Sequence, residues 1–261
     1  MTGSYGVVSE AAFGSPGHRV YRPRKLDAFP TRDTLPVVVW GNGGCGIDNT
    51  GYAGFLTTIA SYGFLVIATA AQAGDSPRRA TVDDLRAAVD WAAAENSRAG
   101  SPLHGKIATD KVAVMGHSCG GRLAIDLGAD ARVATVGVFN SGVQARASEG
   151  PPSPLRTADA LENLHGPVLL INGHERDFMM EASHSTFEML DHVPAFYGAR
   201  HDAGHNATLF HPGGGEFANV AANWVRWNLK GDKRAALMFT GKNCNLCKNR
   251  HWDVEAKGLP E

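Results

Sequence analysis

One turn constrains this chain more than any other feature. The apolar run Lys111-Val112-Ala113-Val114-Met115 leads directly into Gly116-His117-Ser118-Cys119-Gly120-Gly121, and a helical pattern, Arg122-Leu123-Ala124-Ile125, follows. The order is strand, G-x-S-x-G, helix. Glycines flank the serine because side chains there would strike the neighbouring strand and helix. Such a turn lifts a serine hydroxyl above the sheet edge, at a helix N-terminus where backbone N–H groups can meet an anion. Ser118 is therefore the expected nucleophile. A glycine-rich turn with a serine cap needs no chemistry by itself, so this reading makes demands on the rest of the chain.

The surrounding pattern supplies the sheet. Leu35-Pro36-Val37-Val38-Val39-Trp40 is apolar at successive positions, as a strand buried on both faces must be. Further strands are expected at Phe64–Thr69, Val133–Phe139, Pro167–Ile171 and, more weakly, Pro194–Tyr197. Helical periodicity lies between them, at Tyr52–Ser61, Val82–Arg98, Gly120–Leu127, Glu181–Leu190 and Glu216–Leu229. Thr81 is placed to cap the second of these. Strands alternating with helices imply parallel βαβ units, hence a mostly parallel sheet with helices on both faces. No internal repeat or long linker interrupts the 261 residues. They read as one α/β domain: an N-terminal strand (Arg19–Tyr21) and loop over residues 1–34, a core over 35–230, and a tail over 231–261.

Composition narrows the function classes. Hydrophobic residues at 43% and charged residues at 20% exclude a disordered chain. The 25 basic and 26 acidic side chains nearly cancel, which argues against a nucleic-acid partner. No apolar run reaches the roughly 18 residues of a membrane span. Met1–Tyr5 has neither the basic nor the apolar region of a secretory leader.

A serine nucleophile needs a base and an acid. On sheets with this turn they follow it in the order acid, histidine. The strand ending at Ile171 is followed by Asn172-Gly173-His174-Glu175-Arg176-Asp177-Phe178. A carboxylate just past a strand end shares the sheet edge with the nucleophile. Asp177 is the expected acid, with Glu175 as the alternative. After the last core strand comes Arg200-His201-Asp202-Ala203-Gly204-His205. His205 follows a small Ala-Gly pair that lets the backbone reach inward, so it is the expected base. Among the 11 histidines, His201 and His211 are the alternatives.

The oxyanion generated by acyl attack needs N–H donors. One belongs to the residue after the nucleophile, Cys119. The other is expected from Trp40-Gly41-Asn42-Gly43-Gly44-Cys45-Gly46, with Gly44 as first choice and Gly43 as second. The same loop contains Gly41-x-Gly43-x-x-Gly46, a dinucleotide fingerprint that would instead suggest an oxidoreductase. That reading requires an acid at the end of the next strand, about 20 residues on, and an immediate helix. The strand ends Ile67-Ala68-Thr69-Ala70-Ala71 with no acid before Asp75, and no helical pattern resumes until after Gly51. A non-catalytic binding protein on the same fold is the other alternative. It would be expected to lack one of the three partners, and all three have candidates.

On these residues the chain resembles the α/β-hydrolase fold serine esterases. It is most similar to their compact, lidless branch, which includes dienelactone-hydrolase-like proteins and cutinase-like polyester hydrolases. The resemblance runs from about Leu35 to Leu229. It rests on Gly116–Gly120, the Gly173-x-x-x-Asp177 turn, Gly204-His205 and the helix end Phe55…Ile59-Ala60-Ser61-Tyr62-Gly63. It implies a single-domain fold without a cap, a carboxylic ester as substrate and no cofactor. Asn42 stands where many relatives carry histidine, and the nucleophile is serine rather than the cysteine of true dienelactone hydrolases. The Cys244…Cys247 spacing is not the long-range C-terminal disulfide of the polyester hydrolases.

The four cysteines are too few for a disulfide scaffold. Cys45 and Cys119 belong to the two segments expected to form the oxyanion hole, and are expected to pair and brace it. Cys244 and Cys247 form either a local disulfide or two free thiols. With His251 they offer three ligands where structural zinc wants four, so no metal is expected. Paired cysteines would favour an exported protein, free ones the cytoplasm. Caps in this fold usually enter after the strand ending at Phe139. Asn140–Gly166, with Pro151, Pro152 and Pro154, leaves room for a loop only. The expected site is open to short-chain, bulky or polymeric esters. Trp40, Phe139, Phe178, Met179 and Met180 are candidates for an apolar acyl wall, and a monomer or weak homodimer is expected.

Overall fold

A computed structural model describes residues 2–71, 78–143 and 160–260. Its strands are β1 (Val7–Ala11), β2 (His18–Pro23), β3 (Leu35–Gly41), β4 (Leu65–Thr69), β5 (Ile107–His117), β6 (Val133–Phe139), β7 (Val168–Gly173), β8 (Ala195–Arg200) and β9 (Trp252–Lys257). Among the described residues they form one sheet, in the order β1-β2-β4-β3-β5-β6-β7-β8-β9. The strands from β4 to β8 in that order pair in parallel. β2 and β1 extend one edge antiparallel, and β9 closes the other. The helices are α1 (Ala53–Ala60), α2 (Val82–Ser97), α3 (Cys119–Leu127), α4 (Met180–Met189), α5 (Gly215–Lys230) and α6 (Lys233–Ala236).

Every residue of β3 is buried, and successive side chains divide between two cores. Leu35, Val37 and Val39 face a cluster with Leu85, Ala88 and Val89 of α2 and Leu123 and Ile125 of α3. Val38 and Trp40 face the opposite cluster, with Phe55 and Ile59 of α1 and Phe217, Ala221 and Trp224 of α5. Period-two side chains covered by helices on both faces account for the uninterrupted apolar runs. Thr81 caps α2 in a capping box: its hydroxyl accepts from Asp84 N–H, and the Asp84 carboxylate accepts from Thr81 N–H.

Three elements lie outside the sequence reading. β1 and β9 are edge strands with one open face, so their apolar alternation is weak. Asp253 and Glu255 on β9 put charge on the exposed edge, a guard against edge-to-edge pairing. Residues 231–261 hold α6 and β9, and Phe239, Cys244, Leu246 and Trp252 join the core beside α5. The expected absence of a cap between Asn140 and Gly166 rests largely on residues 144–159, which lie outside the described residues.

Parallel pairing brings the carboxyl ends of β3, β5, β6, β7 and β8 to one edge. Gly41 stands beside Gly116, His117 beside Phe139 and Gly173 beside Arg200. There the Ser118 turn presses on the loop after β3. A Cβ on Gly120 would sit 2.2 Å from Gly41 C and O. Gly120→Ala is therefore expected to lower unfolding free energy by about 3 kcal/mol or to prevent folding. Urea denaturation checks this; a loss below about 1 kcal/mol would contradict the close approach.

Candidate active site

Ser118 occupies the tip of the turn at φ 53° and ψ −120°, a strained conformation for a residue with a Cβ. Its N–H donates to Phe139 O at 2.9 Å, and its carbonyl accepts from the Ser141 hydroxyl at 2.6 Å. These bonds fix the turn and leave the hydroxyl facing His205, whose Nε2 lies 2.9 Å from Ser118 Oγ. His205 Nδ1 lies 2.8 Å from Asp177 Oδ1.

The Asp177 side chain is wholly buried. Burial pushes its carboxyl up, but hydrogen bonds from His205, Asn140 Nδ2 and Met179 N–H outweigh it and hold the group below the usual aspartate range. Gly173 N–H adds a fourth donor at 3.2 Å. An ionised carboxylate only accepts, so Nδ1 of His205 carries the proton and Nε2 is free to receive one from Ser118. The loops bearing the two residues are zipped together by a bridge between Arg176 and Gly204 and by His174 N–H donating to Ala203 O at 3.1 Å.

The alternatives lie elsewhere. The Glu175 side chain is 86% exposed. His201 Nε2 pairs with Asp253 Oδ2 at 3.0 Å, and His211 is an exposed residue capping a 3-10 turn.

The loop after β3 forms a 3-10 turn, Gly43–Cys45, with Gly44 at φ 64°. α1 begins only at Ala53, so the loop lacks the helix N-terminus that a dinucleotide fingerprint requires. Gly43 N–H already donates to Tyr52 Oη at 2.9 Å. Gly44 is exposed, with open space where a Cβ would project, which favours it over Gly43 as the donor. Cys45 and Cys119 form a disulfide joining this turn to the start of α3, and Cys244 and Cys247 form a second. The Asn42 amide, buried at the root of the loop, donates to Gly46 O and to Thr69. It holds the loop to the end of β4.

The expected acyl wall is corrected in part. Trp40 and Phe139 are 0% exposed. Their rings pack on Phe55 at 4.7 and 5.5 Å, between the sheet and α1. They belong to the core and do not line an open surface. Met179 is buried, with its sulfur toward Arg122. Phe178 is 75% exposed and lies over the His205 ring, centroids 4.0 Å apart. Phe210, which sequence reasoning missed, is half exposed and packs edge-on against Tyr52 at 5.0 Å.

Asn140, Tyr52 and His117 were missed as well. Asn140 could have been found, because it follows β6 on the active edge; Tyr52 approaches from a separate 3-10 turn, Thr50–Tyr52, without a local signal. His117 is buried, which drives its pKa down to about 4. Among the described residues, His174, His201 and Asp253 place ligand atoms within 4.8 Å of one another, a grouping that could hold a metal ion. No helix among the described residues is long and apolar enough to cross a membrane.

The parallel sheet, the strand-to-helix turn bearing Ser118 and the edge that gathers the loops define an α/β-hydrolase. The chain belongs to the PETase family, described as PET hydrolase-like, which matches it over residues 7–255. It is an ester-bond hydrolase. None of the curated proteins compared with it matches.

Two outcomes follow from this geometry. Reducing Cys45–Cys119 with dithiothreitol, or replacing both cysteines by serine, is expected to lower kcat on a soluble ester about 10-fold by loosening the loop. Replacing Cys244 and Cys247 by serine leaves kcat unchanged. Thiol titration alongside initial rates checks both. His117 makes stability depend on pH. The unfolded chain protonates this histidine near the ordinary 6.5, the folded chain only near 4. The unfolded state thus binds the extra proton in this window, and stability falls as pH drops from 6.5 to 4, by roughly 3 kcal/mol at most. His117→Gln is expected to flatten that limb in urea titrations across the window.

Proposed function

We propose that Ser118, His205 and Asp177 act as the nucleophile, base and orienting acid of a carboxylic-ester hydrolase. The observation that carries this reading is the continuous contact from Ser118 Oγ through the His205 ring to the buried Asp177. Ser118 Oγ attacks the ester carbonyl while His205 Nε2 takes its proton. Asp177 holds the imidazole in the required tautomer and stabilises its charged form. The developing oxyanion is met by the N–H groups of Cys119 and Gly44. His205 returns the proton to the leaving alcohol, and an acyl-Ser118 ester remains. Water then attacks that ester, giving up its proton to His205, which passes it to Ser118 Oγ as the acyl–oxygen bond breaks and the acid is released.

Among the described residues two exposed aromatic rings, Phe178 and Phe210, flank the site. Flat apolar rings beside the proposed nucleophile suit bulky or polymeric esters, aromatic polyesters among them, better than small solutes. Membership of a PET hydrolase-like family supports the same substrate class. Two disulfides fit an enzyme that works in an oxidising compartment.

A fluorophosphonate probe tests the mechanism directly. Its phosphorus bonds to Ser118 Oγ as fluoride leaves, and peptide mapping is expected to find one label, at Ser118. Ser118→Ala should abolish labelling and lower kcat on p-nitrophenyl esters by roughly 10⁴-fold or more. Asp177→Asn is expected to lower kcat by about 10⁴-fold with little change in KM. Release of aromatic acid from amorphous poly(ethylene terephthalate) film tests the polymer reading. Unlabelled, folded protein would overturn the mechanism.

A further inference from the structure

A chain of three hydrogen bonds, the middle one buried, connects the oxyanion loop to the backbone of the candidate base. Gly43 N–H donates to Tyr52 Oη at 2.9 Å. Tyr52 Oη lies 2.8 Å from His117 Nδ1, and His117 Nε2 lies 2.8 Å from the carbonyl oxygen of His205. The polarity of the chain is determined at both ends. A carbonyl can only accept, so Nε2 of His117 carries the proton. Nδ1 is then an acceptor, and the Tyr52 hydroxyl must donate to it. That leaves the hydroxyl lone pairs for Gly43 N–H. Each group meets a partner of the correct sense.

Burial keeps both side chains in the forms this chain requires. Tyr52 and His117 are 6% and 3% exposed. Burial pushes the tyrosine hydroxyl up to about 12 and the imidazole down to about 4, so both are neutral at working pH. The fit leaves no slack: a Cβ on Gly43 would lie 2.6 Å from both His117 Nδ1 and Tyr52 Oη. Tyr52 is itself fixed by its ring contact with Trp40 at 5.3 Å.

We propose that Tyr52 and His117 are positioning residues that hold the oxyanion loop and His205 in mutual register, so that proton transfer and charge stabilisation occur on one rigid frame. This inference rests on the serine-esterase reading above. Neither residue hydrogen-bonds to Ser118 Oγ or to the His205 ring nitrogens; the His117 ring also packs against that of His205, centroids 5.0 Å apart. Their effect reaches chemistry through Gly43, the neighbour of the candidate donor Gly44, and through the main chain of the base.

The test uses the full chain with its disulfides intact, well below the melting temperature of each variant. Wild type is first labelled with the fluorophosphonate. Tyr52→Phe removes a single oxygen and is expected to lower kcat on a p-nitrophenyl ester about 10-fold, with KM within about twofold. His117→Leu should do the same. His117→Gln, whose amide can still donate toward His205 O, should recover part of the loss. The double variant Tyr52→Phe/His117→Leu is expected to be no slower than the slower single variant, because the chain acts as a unit. A merely structural role would lower melting temperatures while leaving kcat intact.

Nitrogen-15 spectra of His117 give a readout independent of activity: Nε2 protonated and Nδ1 a hydrogen-bonded acceptor, the latter signal shifting in Tyr52→Phe. A labelled wild type with an unchanged kcat in Tyr52→Phe, or a proton found on Nδ1, overturns the relay alone. Wild type that refuses the probe overturns the esterase mechanism, and the relay's catalytic role with it.

Discussion

The backbone of the Ser118 turn and that of the loop after β3 run so close that no side chain fits between them. A Cβ on Gly116 would lie 2.2 Å from Gly120 O, and one on Gly120 equally close to Gly41. Three strand and helix segments therefore meet through bare backbone at the sheet edge. This contact forces Ser118 into its left-handed conformation and sets α3 with its N-terminus toward the reaction centre. It also brings Cys119 within disulfide reach of Cys45. The strain at Ser118 is sustained because the two-sided core of β3 and β5 leaves the segments nowhere to relax.

Charge at the site is organised around the buried carboxylate of Asp177. A carboxylate taken from water into this interior would ordinarily be neutralised. Asp177 stays ionised because four donors, two of them backbone N–H groups, converge on its oxygens. In return, its charge sets the tautomer of His205 and aligns that ring on Ser118. The neighbouring His117 shows the opposite solution: its hydrogen bonds go to a hydroxyl and a carbonyl, burial keeps it neutral, and its two nitrogens serve as one donor and one acceptor.

Chain order made the proximity of three side chains legible in the sequence. Ser118 and Asp177 each stand past a strand with a clear apolar run and His205 past the weaker one at Pro194–Tyr197, and parallel pairing brings such positions to one edge. Sequence reasoning erred where side-chain parity decides. Trp40 lies beside the edge in sequence, but it shares a face with Val38 and so points into the core under α1. Phe139 is buried for the same reason. The outermost strands, β1 and β9, escaped notice because a half-exposed strand leaves only a faint alternation. Tyr52 and His117 meet across 65 residues of sequence, and neither residue type announces that contact.

Gly44 illustrates how the separate constraints converge. Its preceding residue is tied to Tyr52, its following residue is cross-linked to Cys119, and the next, Gly46, is held by Asn42. A glycine is needed at φ 64°, yet a glycine loop left free would sample many conformations and lose any advantage as a donor. Restraining the flanks supplies the required backbone angle and removes that freedom together. Under the proposed mechanism, a Gly44 N–H fixed in this way has no reorganisation to undergo when charge develops on the substrate oxygen, which is where preorganised donors gain their effect.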